Sequence, residues 1–340
     1  MYNVIEINHY MTPERVISPH LIALEIAKNY NGSTLILCFD GEGFDLKHNG
    51  TESVVKDICD CLSIPYEKII FRTNNLNDNL DYFKTIPYHY NLNYVLHYDK
   101  NIEVSFDKNY GLFLGRPSNE RLYTFYKHLS WKNKELGIAT FHFKPENENE
   151  YNSDFVNFLI DFSNEWKYLK DILPYSDFNN FLKYPIFEES HAAPEFWTQV
   201  YNKISIELVC ETSVHNESFF VTEKTLRPIL YKKFFVTVGS KNYEKQLKEL
   251  GFDIFEDIID KTYDSKNYYE RIDHMYESLD HFLKNLEYSK DLIERLEKNQ
   301  QLAIELCEKE KQKKLKFDKL LQNLRHEKYS MPHKSQSTNE

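Results

Sequence analysis

Two short apolar runs, residues 204–210 (ISIELVC) and 234–238 (FFVTV), restrict this chain more than any other feature. Both read as strands. The first ends on Cys210, Glu211 and Thr212, and the second on Gly239. Between them a polar connection leads to Val221, Thr222, Glu223 and Lys224, which open a helix. Strand, loop, helix and strand in that order are half of a doubly wound sheet. The start of such a helix has unpaired backbone N–H groups and the positive end of the helix dipole, and both attract phosphate. Glu223 and Lys224 fall in that first turn. A carboxylate beside an ammonium suits a nucleotide, Glu223 for ribose hydroxyls and Lys224 for the pyrophosphate. The plainer alternative is that Thr222 is an ordinary N-cap followed by surface charge, with Gly239 a turn glycine and Cys210 a small core residue.

The 340 residues suffice for two domains with separate cores. In the first hundred residues, strand-like runs at 2–7, 33–39, 68–71 and 94–97 alternate with helical spacing at 21–27 and 52–62, which predicts an α/β domain over residues 1–108. A second α/β domain follows over 109–265. It opens with an apolar run at 110–114 and a helix at 121–130. A strand over 135–143 and a helix over 155–173 come next. Residues 189–200 carry turn signals, and 252–259 suggest a short strand and turn. Residues 266–328 are helical and highly charged, with an interrupted apolar stripe through Leu283, Leu286, Leu292, Ile293, Leu296, Leu306 and Leu320. That stripe fits helices packed on the domains, or a coiled-coil contact in a homodimer. Residues 329–340 read as a disordered tail.

A net charge of −11 argues against broad binding to nucleic acid or acidic membranes, which needs clustered Lys and Arg. It leaves room for a local basic cleft. Cysteines 38, 59, 61, 210 and 307 match no zinc spacing. The start of the chain lacks the basic and apolar segments of a signal peptide, and no run reaches the ~18 apolar residues of a membrane span. The expectation is a cytoplasmic protein, bacterial or viral, with reduced thiols.

The 204–240 segment resembles the donor-binding motif of the α-1,3-fucosyltransferase family. There a strand ends in Phe-Glu-Asn, a Tyr-Val-Thr-Glu-Lys opens a helix, and a following strand ends in Gly. Here Cys210-Glu211-Thr212, Phe220-Val221-Thr222-Glu223-Lys224 and Val238-Gly239-Ser240 stand in those places. A second anchor is the run Ser118-Asn119-Glu120-Arg121, which resembles the family segment in which an arginine opens the first helix of the donor domain. The resemblance covers roughly residues 110–260. It departs at Thr212 (Asn in the family), at Phe220 (Tyr) and Phe219 (Asp), and at Arg227-Pro228 in the early helix.

The resemblance implies a GT-B architecture, two Rossmann-like domains facing a cleft. It also implies a glycosyltransferase that moves a sugar, first of all fucose from GDP-fucose, to a glycan hydroxyl with inversion. Arg121 and Lys224 would stabilise the departing diphosphate, and Glu211 and Glu223 would hold sugar or ribose hydroxyls, with Thr222 and Gly239 completing the donor site. No Asp-x-Asp follows an apolar strand, so metal independence is expected, with no cofactor beyond the donor. The general base should lie on a first-domain loop. Asp40 and Glu42 lead, with His9, Glu14 and Asp81 as rivals. Two other functions fit the same residues. One is a non-catalytic nucleotide- or carbohydrate-binding module. The other is a transferase acting on modified viral DNA, against which the acidity speaks.

Overall fold

The structure, a computed structural model, describes residues 2–6, 19–39, 46–47, 50–73, 75, 79–87, 102–114, 119–141, 194–211 and 219–329. The expected strand at 94–97, the helix at 155–173 and residues 330–340 lie outside them. The chain is α/β and divides into two compact units. Unit 1 comprises Met1–Asn93, Glu217–Phe220 and Leu306–Glu340; unit 2 comprises Tyr94–Asn216 and Val221–Glu305.

Unit 1 holds β1 (Tyr2–Glu6), α1 (Pro19–Asn29), β2 (Thr34–Phe39), α2 (Thr51–Leu62), β3 (Ile69–Thr73) and β4 (Lys84–Pro87). The four strands pair in parallel in the order β1-β2-β3-β4. β2 is apolar on both faces and buried from Leu35 to Phe39, the pattern of a strand inside a parallel sheet. α2 starts after Gly50 and stops at Ser63, both in left-handed backbone with φ of 77° and 55°. Its buried Val55 and Cys59, one turn apart, face a core that contains Leu35, Leu37, Phe39 and Phe71. β4 was not foreseen. Its sequence is KTIP, mostly exposed, and its proline is tolerated because β4 is an edge strand.

Unit 2 holds β5 (Tyr110–Leu114), α3 (Asn119–Ser130), β6 (Gly137–Phe141), α4 (Pro194–Tyr201), β7 (Ile206–Cys210), α5 (Glu223–Leu230), β8 (Phe234–Val238), α6 (Tyr243–Glu249) and α7 (Tyr268–Asn285). The first part of α8 (Lys290–Tyr329) belongs to it as well. Its parallel sheet runs β6-β5-β7-β8. The chain moves outward from β5 to β6, then crosses back to β7 on the other side of β5. The sheet therefore has a topological switch point between β5 and β7, where open α/β sheets bind ligands at the carboxyl edge. Helices cover both faces. Phe234 of β8 meets Phe282 of α7 on one face, with ring centroids 4.9 Å apart. On the other, Glu207 of β7 meets Tyr201 of α4, and Glu211 meets Thr225 of α5.

Several elements differ from their sequence reading. The division falls between Asn93 and Tyr94 rather than after residue 108. Glu103 and Asn109 are tied to unit 2, where Lys233 Nζ donates to the Glu103 carbonyl at 3.2 Å and Ser205 N–H to the Asn109 carbonyl at 2.9 Å. Residues 194–201 form a helix, with Pro194 in the first turn where no N–H is needed. Residues 252–259 form no strand. Phe255 takes a φ of 57°, which extended backbone excludes, while Asp253 binds Arg295 and Asn299 of α8. Nor do the C-terminal helices stand as a separate layer up to residue 305. Leu283, Leu286, Leu292 and Leu296 are buried, so that part of the apolar stripe is used within the chain. Among the described residues no helix is long and apolar enough to cross a membrane.

Candidate functional site

Among the described residues all strands of unit 2 are parallel, so β5, β7 and β8 end at one edge, and α3, α5 and α6 start there. This edge gathers Arg121, Glu211, Thr222, Glu223, Lys224 and Gly239, which come from three separate stretches of the sequence.

α5 is a short helix of eight residues, and its start is strongly fixed. The Thr222 hydroxyl accepts the Lys224 backbone N–H at 3.1 Å, which satisfies one of the free donors of the first turn. The same hydroxyl donates to Glu211 Oε2 at 2.7 Å. Leu226, Ile229 and Leu230 are buried and seat the helix on the sheet. Each such side chain contributes about 2 kcal/mol by leaving water. Pro228 lies inside the helix and lacks the N–H that would bond the Lys224 carbonyl, so this turn is held by its side chains more than by its backbone ladder.

Glu211 is 1% exposed and binds three hydroxyls of its own chain. Besides Thr222, its Oε1 accepts Thr225 Oγ1 at 2.5 Å and the Tyr243 hydroxyl at 3.0 Å. The sequence suggested that Glu211 holds sugar or ribose hydroxyls. The geometry gives it a different task, to tie β7 to the first turns of both α5 and α6. Tyr243 reaches it only because Gly239 has no side chain. A Cβ at Gly239 would lie 2.5 Å from the Tyr243 ring. Gly239 is thus required for close approach, and its carbonyl accepts a guanidinium N–H of Arg271.

Glu223 and Lys224 face outward from α5 and are partly exposed. Lys224 Nζ donates to Glu223 Oε1 at 3.0 Å. Burial raises the Glu223 carboxyl, but the Lys224 charge and hydrogen bond outweigh it, with help from Arg227, and the net shift is downward. At neutral pH this carboxylate is charged. Arg121, in the first turn of α3, is 8% exposed. Burial pushes the Cys210 thiol up to about 12, with the Arg121 charge pulling the other way, so the guanidinium lies close to the end of β7.

Four further residues of unit 2 have no site role in the sequence analysis: Thr225, Tyr243, Glu207 at the start of β7, and Arg227, which appears there only as a departure from the resembled motif. Thr225, one turn after Thr222, was a legible signal. Glu207 was another, a carboxylate inside an otherwise apolar strand. It is 2% exposed, accepts the Tyr201 hydroxyl, and lies on the same face of β7 as Glu211. Burial pushes its carboxyl up to about 7, against the opposing pull of Arg227 and Tyr201.

The proposed bases Asp40 and Glu42 lie outside the described residues, as do His9, Glu14 and Thr212. Asp40 and Glu42 follow the carboxyl end of β2. Asp81 is exposed and pairs with Lys47 at 2.8 Å. Among the described residues no three His, Cys, Asp or Glu side chains converge to hold a metal ion. An open depression of about 490 Å³ lies beside α6, but Lys248 and Lys261 on its wall are already paired with Glu256 and Glu244. No protein-family model and no curated protein matches the chain.

Proposed function

We propose that the chain is a metal-independent glycosyltransferase that binds a nucleotide-sugar at the carboxyl edge of the unit 2 sheet. In this reading the two units are those of a GT-B enzyme. The observation that carries it is the fixed start of α5. Thr222 and Glu211 hold the first turn beside a switch point, and this turn carries Lys224 and Glu223, partly exposed and paired with each other at 3.0 Å. Lys224 neutralises the diphosphate, Arg121 adds a second positive charge at the same edge, and Glu223 accepts hydroxyls of the ribose or sugar. Glu211 supports the site without touching the donor. GDP-fucose is the first donor to test, with transfer to a glycan hydroxyl by inversion. The base is assigned to the loop after β2, with Asp40 and Glu42 as candidates.

A thermal-shift screen of nucleotide sugars tests the reading, followed by calorimetry on the best ligand. Lys224→Ala and Arg121→Ala should each weaken binding by about 1–3 kcal/mol, the range for a hydrogen bond to a charged group. Unchanged affinity in both variants would remove the proposed site. A parallel assay of donor hydrolysis separates the enzyme from a non-catalytic binding module. That module is favoured to one extent: Glu211, one of the two carboxylates expected to hold hydroxyls, is engaged within the chain.

A further inference from the structure

Arg227 lies one turn below the candidate donor turn, on the outward face of α5. It is the i+3 neighbour of Lys224 and the i+4 neighbour of Glu223, so the three side chains share one helical surface. Long helical side chains lean toward the helix N-terminus, which directs Arg227 toward the Lys224 end. Its guanidinium stacks on Trp197 of α4, 3.8 Å above the ring centroid. Trp197 is itself 7% exposed and braced by Phe113 of β5, with ring centroids 5.4 Å apart. The indole face therefore restrains the position of the guanidinium.

A fixed guanidinium normally has its donors satisfied. Among the described residues, Arg227 donates no hydrogen bond and forms no ion pair. Its charge acts on the carboxyls of Glu207 and Glu223, but it closes a direct pair with neither, and Lys224 lies at i−3 on the same helix. Glu207 is instead held by Tyr201. Had Arg227 served only to neutralise Glu207, the two would be expected to pair directly. What remains is a fork of donors seated on an indole face, one helical turn from the lysine already assigned to phosphate. Such a fork matches two oxygens of one phosphate group.

We propose that Arg227 is a further binding residue of the donor site, gripping the terminal phosphate of a nucleoside diphosphate while Trp197 holds its guanidinium in place. This rests on the proposed nucleotide-sugar reading and adds a residue to it. The specificity follows directly: the fork should discriminate a diphosphate from a monophosphate.

Calorimetry with GDP and GMP on the full chain tests this, using the wild type, Arg227→Met, Arg227→Lys, Trp197→Leu, Lys224→Ala and Arg121→Ala. Arg227→Met should weaken GDP by about tenfold or more and GMP by less than about threefold. Arg227→Lys keeps the charge but loses the fork, so its loss should be intermediate, and it carries the test if Arg227→Met does not fold. Trp197→Leu should also weaken GDP in preference to GMP. If Lys224→Ala loses GDP while the Arg227 variants bind it like the wild type, the inference is overturned and the donor site stands. An equal loss of GDP and GMP in Arg227→Met also overturns it, because a fold defect would act on both. If the wild type binds neither nucleotide, or Lys224→Ala and Arg121→Ala both bind them unchanged, the donor reading falls and the inference with it.

Discussion

Glu211→Ala separates a carboxylate that builds the site from one that contacts a ligand. In the folded chain Glu211 accepts from Thr222 at 2.7 Å, Thr225 at 2.5 Å and Tyr243 at 3.0 Å, and all four residues are buried. Each buried hydroxyl left without its acceptor costs about 1–3 kcal/mol. Part of this is recovered. The Thr225 and Tyr243 oxygens lie 3.1 Å apart and can bond each other, and Thr222 keeps the Lys224 N–H. Roughly two donors remain unmatched, which gives a net loss of about 2–6 kcal/mol. Glu211→Gln keeps one acceptor oxygen, and its amide can donate to a hydroxyl, so it should lose only about 1–2 kcal/mol. Urea unfolding measures both. The three tryptophans, Trp131, Trp166 and Trp197, all belong to unit 2, so intrinsic fluorescence follows this unit alone. With an m-value of about 2–3 kcal/mol/M, the Glu211→Ala midpoint should fall by about 0.7–3 M. A midpoint within about 0.3 M of the wild type would refute the reasoning. Weakened nucleotide binding in the same stable variant would return Glu211 to the role of a ligand carboxylate.

Three more expectations use the same measurement. Gly239→Ala forces a Cβ to within 2.5 Å of the Tyr243 ring and displaces its hydroxyl from Glu211. It should destabilise unit 2 by about 1–3 kcal/mol, as overpacking does; no loss would show that the approach of Tyr243 is not tight. Thr222→Ala removes the N-cap and should lose about 1 kcal/mol or more, while Thr222→Ser retains most of the stability, and equal losses would argue against capping. Glu207→Gln tests the buried acid by its pH dependence. Burial, against the pull of Arg227 and Tyr201, raises the carboxyl from 4.5 to about 7, so the folded chain keeps a proton that the unfolded chain releases. The stability linked to that proton is fully present below the unfolded value and is lost as pH rises through the folded one. Glu207→Gln should therefore gain on the wild type by about 3 kcal/mol between pH 4.5 and pH 7. Parallel pH curves would contradict a raised Glu207.

Much of unit 2 was readable because its signals are local. Apolar runs fixed β7 and β8, Thr222 marked the start of α5 within one residue, and Gly239 marked the end of β8. The missed elements lacked a local signal of their kind. β4 is exposed and ends in proline, so no alternation of apolar residues announces it. α4 begins on a proline, which reads as a turn unless the rest of the helix is weighed. Residues 252–259 have the composition of a strand, and only contacts with Arg295 and Asn299, some forty residues away, hold them in another conformation.

The order of residues alone determined that β7 leads through a capped helix to β8, because caps, periodicity and turn glycines act over a few neighbouring positions. It likewise determined that Glu223 and Lys224 share the first turn of α5, since adjacent residues cannot be separated. Tertiary structure decided the rest. The return of the chain past β5 created the switch point, a matter of which strands pair. Glu211 became a buried tie because Tyr243, 32 residues away, closes over it. Arg227 acquired its seat on an indole face from Trp197, on a helix that precedes β7. A side chain's chemical type is written in the sequence, but its partners depend on which distant elements pack against it, and that packing sets its exposure and charge.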